Sequence, residues 1–159
     1  TDTLLRNDHK LVLVTRLMHA LSAPRRILLL CPPWAEREPG FGQWVGKVQR
    51  LARELGLRVD MLCTHATHTA VLAEAREQRL NFEPALIPQD DELDAELLLA
   101  RHSTSTDLVV VVSARPRSIS YSPAMDQLPR RVDKQFPDLS LMMVYPATTG
   151  GGDHILELD

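Results

Sequence analysis

The sequence predicts a single α/β domain with a doubly wound, five-stranded, mostly parallel sheet, helices on both faces, and a helix before the first strand. Short apolar runs without alternation, such as residues 27–31 and 108–112, are typical of strands that are buried on both faces. Amphipathic stretches of helical length lie between these runs. Strands that alternate with helices form crossovers in a parallel sheet, which leads to a doubly wound fold.

Length and composition fit this class and exclude others. The chain has 159 residues, 44% of them hydrophobic and 25% charged, which is enough to bury a core as one domain. A net charge of −3 does not attract phosphate backbones, so we expect no nucleic-acid partner. No apolar run approaches the roughly 18 residues that cross a bilayer. Two cysteines make no disulfide framework and, with no secretory signal, predict reduced thiols in the cytosol.

The first element is predicted to be a helix over residues 11–21. Its apolar residues recur at helical spacing: Leu11, Val14, Leu17, Met18 and Leu21. Pro24 follows, and the residue before a proline avoids the helical region, so the helix ends there. We assign residues 1–24 to a linker that contains this helix. Because the chain begins at Thr1 rather than a methionine, we expect a fragment of a longer protein.

The domain itself is predicted to span residues 25–147. Its strands are expected at 26–31, 57–63, 82–87, 107–113 and 139–145. Helices are expected at 41–55, 65–80 and 91–101, with a fourth that begins at Pro123 after the cap Ser122. Pro84 marks the third strand as an edge. The tail, 148–159, is glycine-rich and then alternating, so it is either a flexible end or an added edge strand.

Two loops are candidates for a ligand site, because ligands bind at the carboxyl ends of parallel strands where the strand order reverses. Residues 31–42 follow the first strand and residues 113–122 the fourth. The candidate ligand-binding residues are Cys31, Pro32, Pro33, Ser113, Arg115, Arg117, Ser118, Ser120 and Tyr121. Arginine suits phosphate geometry and serine adds donors, so the second loop is predicted to cradle an anion. The alternative is that both are ordinary polar loops.

Three stretches carry a resemblance: the opening strand RILLLCPP, residues 109–129 (VVVVSARPRSISYSPAMDQLP), and the closing LMMVYPA. Residues 26–146 resemble the universal stress protein fold and, more narrowly, the cytosolic tail domain of bacterial sodium/hydrogen (cation:proton) antiporters. The matching residues in the middle stretch are Ser113, Ala114, Arg115, Ile119, Ser120, Tyr121, Asp126, Leu128 and Pro129.

The resemblance implies a non-catalytic regulatory domain on the cytoplasmic side of the inner membrane. Its partners would be its own transmembrane antiporter domain and a second copy, paired through the fifth strand at residues 139–145. That strand is apolar enough for an edge that must be covered.

The resemblance also indicates a degenerate nucleotide site. ATP-binding stress proteins carry a glycine-rich loop after the fourth strand, whose conserved places fall here on Ser113, Pro116, Asp126 and Gln127. Glycines there let backbone amides close on phosphates. Cys31, Pro32 and Pro33 stand where the binders have an aspartate. The alternative is a free stress protein, or low-rate ATPase, that binds ATP, AMP or another nucleotide through Arg115, Arg117, Ser118 and Ser120.

Other residues suggest chemistry less specifically. Cys63, His65 and His68 are of zinc-ligand type, but their spacing fits no familiar site, and a buried cysteine with two half-exposed histidines explains them as well. Cys31 and Cys63 could form a thiol switch, or serve an α/β enzyme, if their strands are neighbours. Glu36 is interpreted as a solvated loop or helix-cap charge rather than a catalytic carboxylate, and Trp34 could be a lid or contact residue. No nucleophile motif is present, so no catalytic residue is assigned.

Overall fold

The fold is organised around one sheet, whose strands and helices alternate along most of the chain. The structure is a computed structural model that describes residues 11–16, 23–92, 94–113, 119, 121–147 and 153–157. Its strands are β1 (Leu11–Arg16), β2 (Arg26–Leu30), β3 (Arg58–Cys63), β4 (Ala85–Pro88), β5 (Asp107–Val112), β6 (Ser140–Tyr145) and β7 (Asp153–Glu157). Its helices are α1 (Phe41–Leu55), α2 (His65–Glu77), α3 (Ala95–His102) and α4 (Pro123–Gln135), with a short 3-10 helix at Ala35–Arg37.

The strands form a seven-stranded sheet in the order β4-β3-β2-β5-β6-β1-β7. The neighbours from β4 to β6 are all parallel, β1 is antiparallel to β6, and β7 is parallel to β1. The chain runs from β2 outward to β4 and then returns to β5 on the other side of β2. The strand order therefore reverses between β2 and β5, which is where a parallel sheet of this kind offers a crevice.

Helices cover both faces of this sheet, which confirms the predicted α/β class. α1 and α2 pack on one face, around Trp44, Val45 and Val71. α3 and α4 pack on the other, around Leu99 and Leu128. β5 is buried along its whole length, as its uninterrupted valine run predicts. The helix predicted at 41–55 has those bounds, whereas α3 begins only at Ala95, where the Asp94 side chain accepts a hydrogen bond from the Leu97 N–H and caps it.

The predicted N-terminal helix is wrong, because residues 11–16 form strand β1. Leu11 and Leu13 pack with one core cluster while Val14 lies in the other, which is the two-residue alternation of a strand. Val12 and Val14 pair with Tyr145 and Met143 of β6. The valines and the threonine of this segment favour strands, and β6 offered an open edge for them to pair with. The segment therefore belongs to the sheet rather than to a separate linker, and residues 17–22 lie outside the described residues.

The number of strands and the place of the edge also differ from prediction. The sheet has seven strands rather than five, because β1 and β7 are added beyond β6. β6 is consequently an interior strand, paired with β5 on one side and β1 on the other. The expectation of an uncovered edge at residues 139–145 is wrong. The tail contributes β7 to the outer edge of the sheet, one of the two alternatives that the sequence left open.

A charged network ties together the amino ends of three strands. Arg26, at the start of β2, donates to both carboxylate oxygens of Asp107 at 2.9 Å and to Asp60 Oδ2 at 2.9 Å. The same guanidinium donates to the His102 carbonyl at 2.7 Å. Asp107 is buried, and these carboxylates hold the pKa of Arg26 above its usual range, the Asp107 hydrogen bond being the largest cause. The network fixes the register of β2 against β3 and β5 at the edge opposite the crevice.

Candidate functional site

The crevice at the carboxyl ends of β2 and β5 is the candidate ligand site. Cys31 and Pro32 follow β2 and are buried, and Pro33 is half-buried. Ser113 follows β5 and is buried too, at 1% exposure, with its N–H donating to the Val144 carbonyl at 2.8 Å. Since β2 and β5 are neighbours, the structure brings the predicted first-loop residues and Ser113 to one edge of the sheet.

The loop after β2 has few backbone donors to offer an anion. The Cys31 N–H donates to the Leu62 carbonyl at 3.0 Å, and the N–H groups of Ala35, Arg37 and Glu38 donate to carbonyls inside the same loop. Pro32 and Pro33 have no N–H. Phosphate-binding loops present several free backbone N–H groups that converge on one point. In this loop most N–H groups already donate to protein carbonyls.

Trp34 sits at the exposed tip of this loop. Its φ of 64° places it in the left-handed region, which a bulky residue rarely adopts, and its side chain is 46% exposed. Its neighbours are fixed: Ala35 is buried and Glu36 is held by a hydrogen bond. The indole is therefore exposed on an anchored loop, and its role as a lid or contact residue stays a prediction.

The loop after β5 is described only in part. Arg115, Arg117, Ser118 and Ser120 lie outside the described residues, so the predicted anion cradle is not seen. Ile119 is exposed and Tyr121 is half-buried. The Ser113 hydroxyl is buried without a hydrogen-bond partner within the described part of the chain. Ser113 therefore places an unpaired hydroxyl at the crevice, whereas the half-buried Tyr121 is engaged in an interaction of its own.

A chain of hydroxyl groups connects α2 to the first loop and ends on Glu36. Thr64 caps α2, accepting from the Thr67 N–H at 3.2 Å, and its hydroxyl donates to the Thr67 hydroxyl at 3.2 Å. The Thr67 hydroxyl, fully buried, donates to Glu36 Oε1 at 2.8 Å. Glu36 is half-buried and structurally engaged rather than a solvated loop charge. Its carboxylate puts negative charge beside the crevice, which opposes the binding of phosphate.

The two cysteines lie side by side at the ends of β2 and β3. Leu30 pairs with Leu62 in the parallel register, so Cys31 and Cys63 follow as the next residues of neighbouring strands, as the thiol-switch interpretation required. Both are free and buried. Burial raises the pKa of Cys31 well above its usual value, with Cys63 and Glu36 adding to the effect. Burial, then Glu36, raises the pKa of Cys63 to about 12, against a smaller opposing hydrogen bond from the His68 backbone.

These thiols are therefore kept protonated near neutral pH. A thiolate is the nucleophile and the metal ligand, so burial and Glu36 work against both a reactive switch and cysteine chemistry. The metal candidates do not converge either. His65 is exposed, and His68 Nε2 lies 2.8 Å from the Pro84 carbonyl oxygen, away from a shared ligand position. Within the described part of the chain, no three His, Cys, Asp or Glu side chains are grouped to hold a metal ion.

Two features escaped the sequence analysis, one beside the crevice and one at the opposite edge of the sheet. The engagement of Glu36 by Thr67 joins residues 31 positions apart, and no local pattern reports such a contact. The Arg26–Asp107 ion pair could have been predicted from sequence, because residues of opposite charge stand at the starts of two apolar runs. Parallel strands bring their amino ends together, so opposite charges at these positions predict a pair.

The comparisons with known proteins leave the family open. No protein-family model matches the chain, and no curated protein matches it significantly. Among solved structures, full-length CYP116B46 from Tepidiphilus thermophilus matches 81% of this chain at 16% sequence identity, with a TM-score of 0.41. The match spans 15% of that protein's length. A similarity at this level carries no inference about function.

Proposed function

We propose that this chain is a non-catalytic regulatory and dimerisation domain of a bacterial sodium/hydrogen antiporter, on the cytoplasmic side of the inner membrane, with a degenerate nucleotide site. The resemblance of residues 109–129 to such domains motivates the assignment. The reversal of strand order between β2 and β5 is compatible with a universal stress protein-like sheet. None of the described helices has the length and apolarity to cross a bilayer. In this proposal, transport belongs to the antiporter's own transmembrane domain.

The observation that carries the degenerate site is the state of the loop after β2. The N–H groups of Ala35, Arg37 and Glu38 bond within the loop, and Pro32 and Pro33 have none. Glu36 adds negative charge beside the loop. A triphosphate would therefore meet few donors and a repulsive carboxylate on this side of the crevice. The orphan Ser113 hydroxyl favours the alternative, a nucleotide-binding stress protein, but a single neutral hydroxyl is a weak phosphate ligand.

Dimerisation stays part of the proposal, although through a surface other than β6. β1 already occupies the edge of β6, whereas β7 is the last strand of the described sheet on that side. The opposite edge is β4, a four-residue strand with Pro88 in it and Pro84 before it, which is a poor template for pairing. The homodimer is therefore proposed to form along the outer edge of β7.

A melting experiment with nucleotides tests the degenerate site. The purified domain is titrated with ATP, AMP and cyclic dinucleotides while its melting temperature is followed. A ligand at a hundred times its Kd would add about 2.7 kcal/mol, a shift of roughly 5 to 10 °C for a domain of this size. We expect no shift. A shift with ATP that the double variant Arg115→Ala, Arg117→Ala abolishes would establish the nucleotide-binding alternative instead.

Two further observations test the antiporter assignment. The coding sequence upstream of Thr1 should contain hydrophobic spanning segments, and a gene that begins with this domain alone would contradict the proposal. The domain should sediment as a dimer, and a proline placed in β7, as in Ile155→Pro, should yield the monomer. A monomer in the unmodified protein would remove the dimerisation part of the proposal.

A further inference from the structure

A cleft of about 540 Å³ opens at the edge of the sheet opposite the crevice. Its walls are the last two turns of α1, the first residues of β3, and the segment 81–85 that leads into β4. Its volume is in the range of small-ligand sites. Nothing in the proposed function uses this cleft, because it lies at the amino ends of β3 and β4 rather than at the carboxyl ends.

The cleft exists because β4 begins late. Ala85, its first residue, pairs with Asp60, the third residue of β3. In the described register Arg58 and Val59 therefore have no strand partner on the β4 side, and residues 81–84 diverge from the sheet there. Ala52, Leu57 and Phe82 supply the apolar part of the lining.

Gln49 provides a buried polar group inside this lining. It lies on α1, is 7% exposed, and lines the cleft. Its amide makes no hydrogen bond to any other residue that the structure describes. The contrast is Gln78, an exposed glutamine whose amide donates to the Gly42 carbonyl at 2.8 Å and to Glu74 at 2.9 Å. A side-chain amide offers a donor and an acceptor together, so an unpaired one facing a cleft is complementary to another amide.

The rim carries one uncommitted charge of each sign. Arg53 follows Gln49 by one helical turn and shares its side of α1, and Glu83 stands on the opposite wall. Neither forms an ion pair with a described residue. Asp60, by contrast, is already paired through Oδ2, with Arg26 at 2.9 Å and with Arg58 at 3.5 Å. A ligand complementary to these three groups brings an anion, an amide and a cation.

We propose that this cleft binds a short zwitterionic peptide of two to four residues. Its carboxylate pairs with the Arg53 guanidinium, an internal amide hydrogen-bonds with the Gln49 amide, and its ammonium group pairs with Glu83. Small side chains of the peptide rest on Ala52, Leu57 and Phe82. The proposal is independent of the antiporter assignment, since it uses none of the residues at the crevice.

Trialanine and its two capped forms test this pairing directly. Binding to the purified domain is followed by calorimetry and by amide chemical shifts. Trialanine should bind and shift the signals of α1 and residues 81–85. N-acetyl-trialanine lacks the ammonium group and trialanine amide lacks the carboxylate, so each should bind about two- to fivefold more weakly, the loss of one solvent-exposed ion pair. Equal binding of all three, or no binding up to about 100-fold molar excess, would overturn the proposal.

Variants assign the contacts to residues. Gln49→Leu should weaken trialanine about tenfold because a buried amide loses its hydrogen bonds, and Arg53→Gln about two- to fivefold because the guanidinium is exposed to solvent. Arg50→Gln is the matched control, because Arg50 is exposed on the same helix but does not line the cleft, and its affinity should be unchanged. If Gln49→Leu fails to fold, Arg53→Gln and Glu83→Gln decide alone, since both side chains are exposed. Wild-type affinity in these two variants would refute the assignment.

Discussion

Removal of the Asp107 carboxylate should destabilise the domain strongly. Asp107 is 3% exposed and accepts three hydrogen bonds at 2.9 Å, two from Arg26 and one from the Thr104 N–H. Asp107→Ala leaves these donors without their acceptor at a position buried from solvent. Breaking a buried pair costs about 3 to 5 kcal/mol, and the lower end applies because Arg26 keeps Asp60 and the His102 carbonyl.

A cost of about 3 kcal/mol should lower the melting temperature by roughly 6 to 12 °C in a domain of this size. The measurement is urea and thermal unfolding followed by circular dichroism. The matched control is Glu96→Ala, which breaks the exposed Arg131–Glu96 pair. That pair is shorter, at 2.6 Å, yet its side chains are 50% and 24% exposed, so solvent screening limits its loss to about 1 kcal/mol or less.

The comparison between the two variants decides whether burial governs these ion pairs. Equal losses in Asp107→Ala and Glu96→Ala would refute the reasoning, because the shorter distance would then matter as much as the environment. The double variant Arg26→Met, Asp107→Leu provides the second check. It removes both charges together, so it should recover part of the stability that Asp107→Ala loses.

Three further predictions concern the thiols, the first loop and two glycines. The pKa of Cys63 is about 12 in the folded protein and near 9.0 in the unfolded chain, so the free energy of unfolding should hold below pH 9 and fall by up to about 4 kcal/mol towards pH 12. Urea unfolding of Cys63→Ala at these pH values should show a smaller fall, and an identical fall would contradict the raised pKa. Thr67→Val should lower the free energy of unfolding by about 1 to 2 kcal/mol, measured by thermal unfolding, because Glu36 loses its hydrogen-bond donor. The exposed Thr69→Val should change it by almost nothing, and equal losses would contradict a stabilising Thr67–Glu36 hydrogen bond. Gly40→Ala should lower the free energy of unfolding by about 1 to 3 kcal/mol, because its Cβ would meet the Ala147 backbone. Gly56→Ala should cost about 1 kcal/mol, from its φ of 67° alone, and chemical denaturation that ranks the two variants in reverse would refute the packing argument.

The central sheet could be predicted from sequence because burial on both faces leaves a strong local signal. β5 is an unbroken valine run, and α1 ends at Gly56, whose left-handed conformation closes the helix. The segment 11–16 carried no such signal. Its leucines and valines satisfy a helical spacing and a strand spacing equally, so the period alone could not decide.

The candidate site was predicted only in part. The sequence placed Cys31, Pro32 and Ser113 at loops after strands, and the reversal of strand order between β2 and β5 brought them together. It did not indicate that Glu36 is engaged by Thr67, or that several N–H groups of the first loop bond within that loop. These are contacts between distant segments or details of one turn, and neither leaves a periodic pattern.

The sequence by itself determined the α/β class, the central strands and the four helices, because these depend on the periodicity of apolar residues within short windows. The two added strands depend on the tertiary structure, because β1 is extended where it pairs with the edge of β6. The tertiary structure also decided the Arg26 network and the cleft beside Gln49. Both arise where separate segments meet, so their energies depend on distances that no single segment encodes.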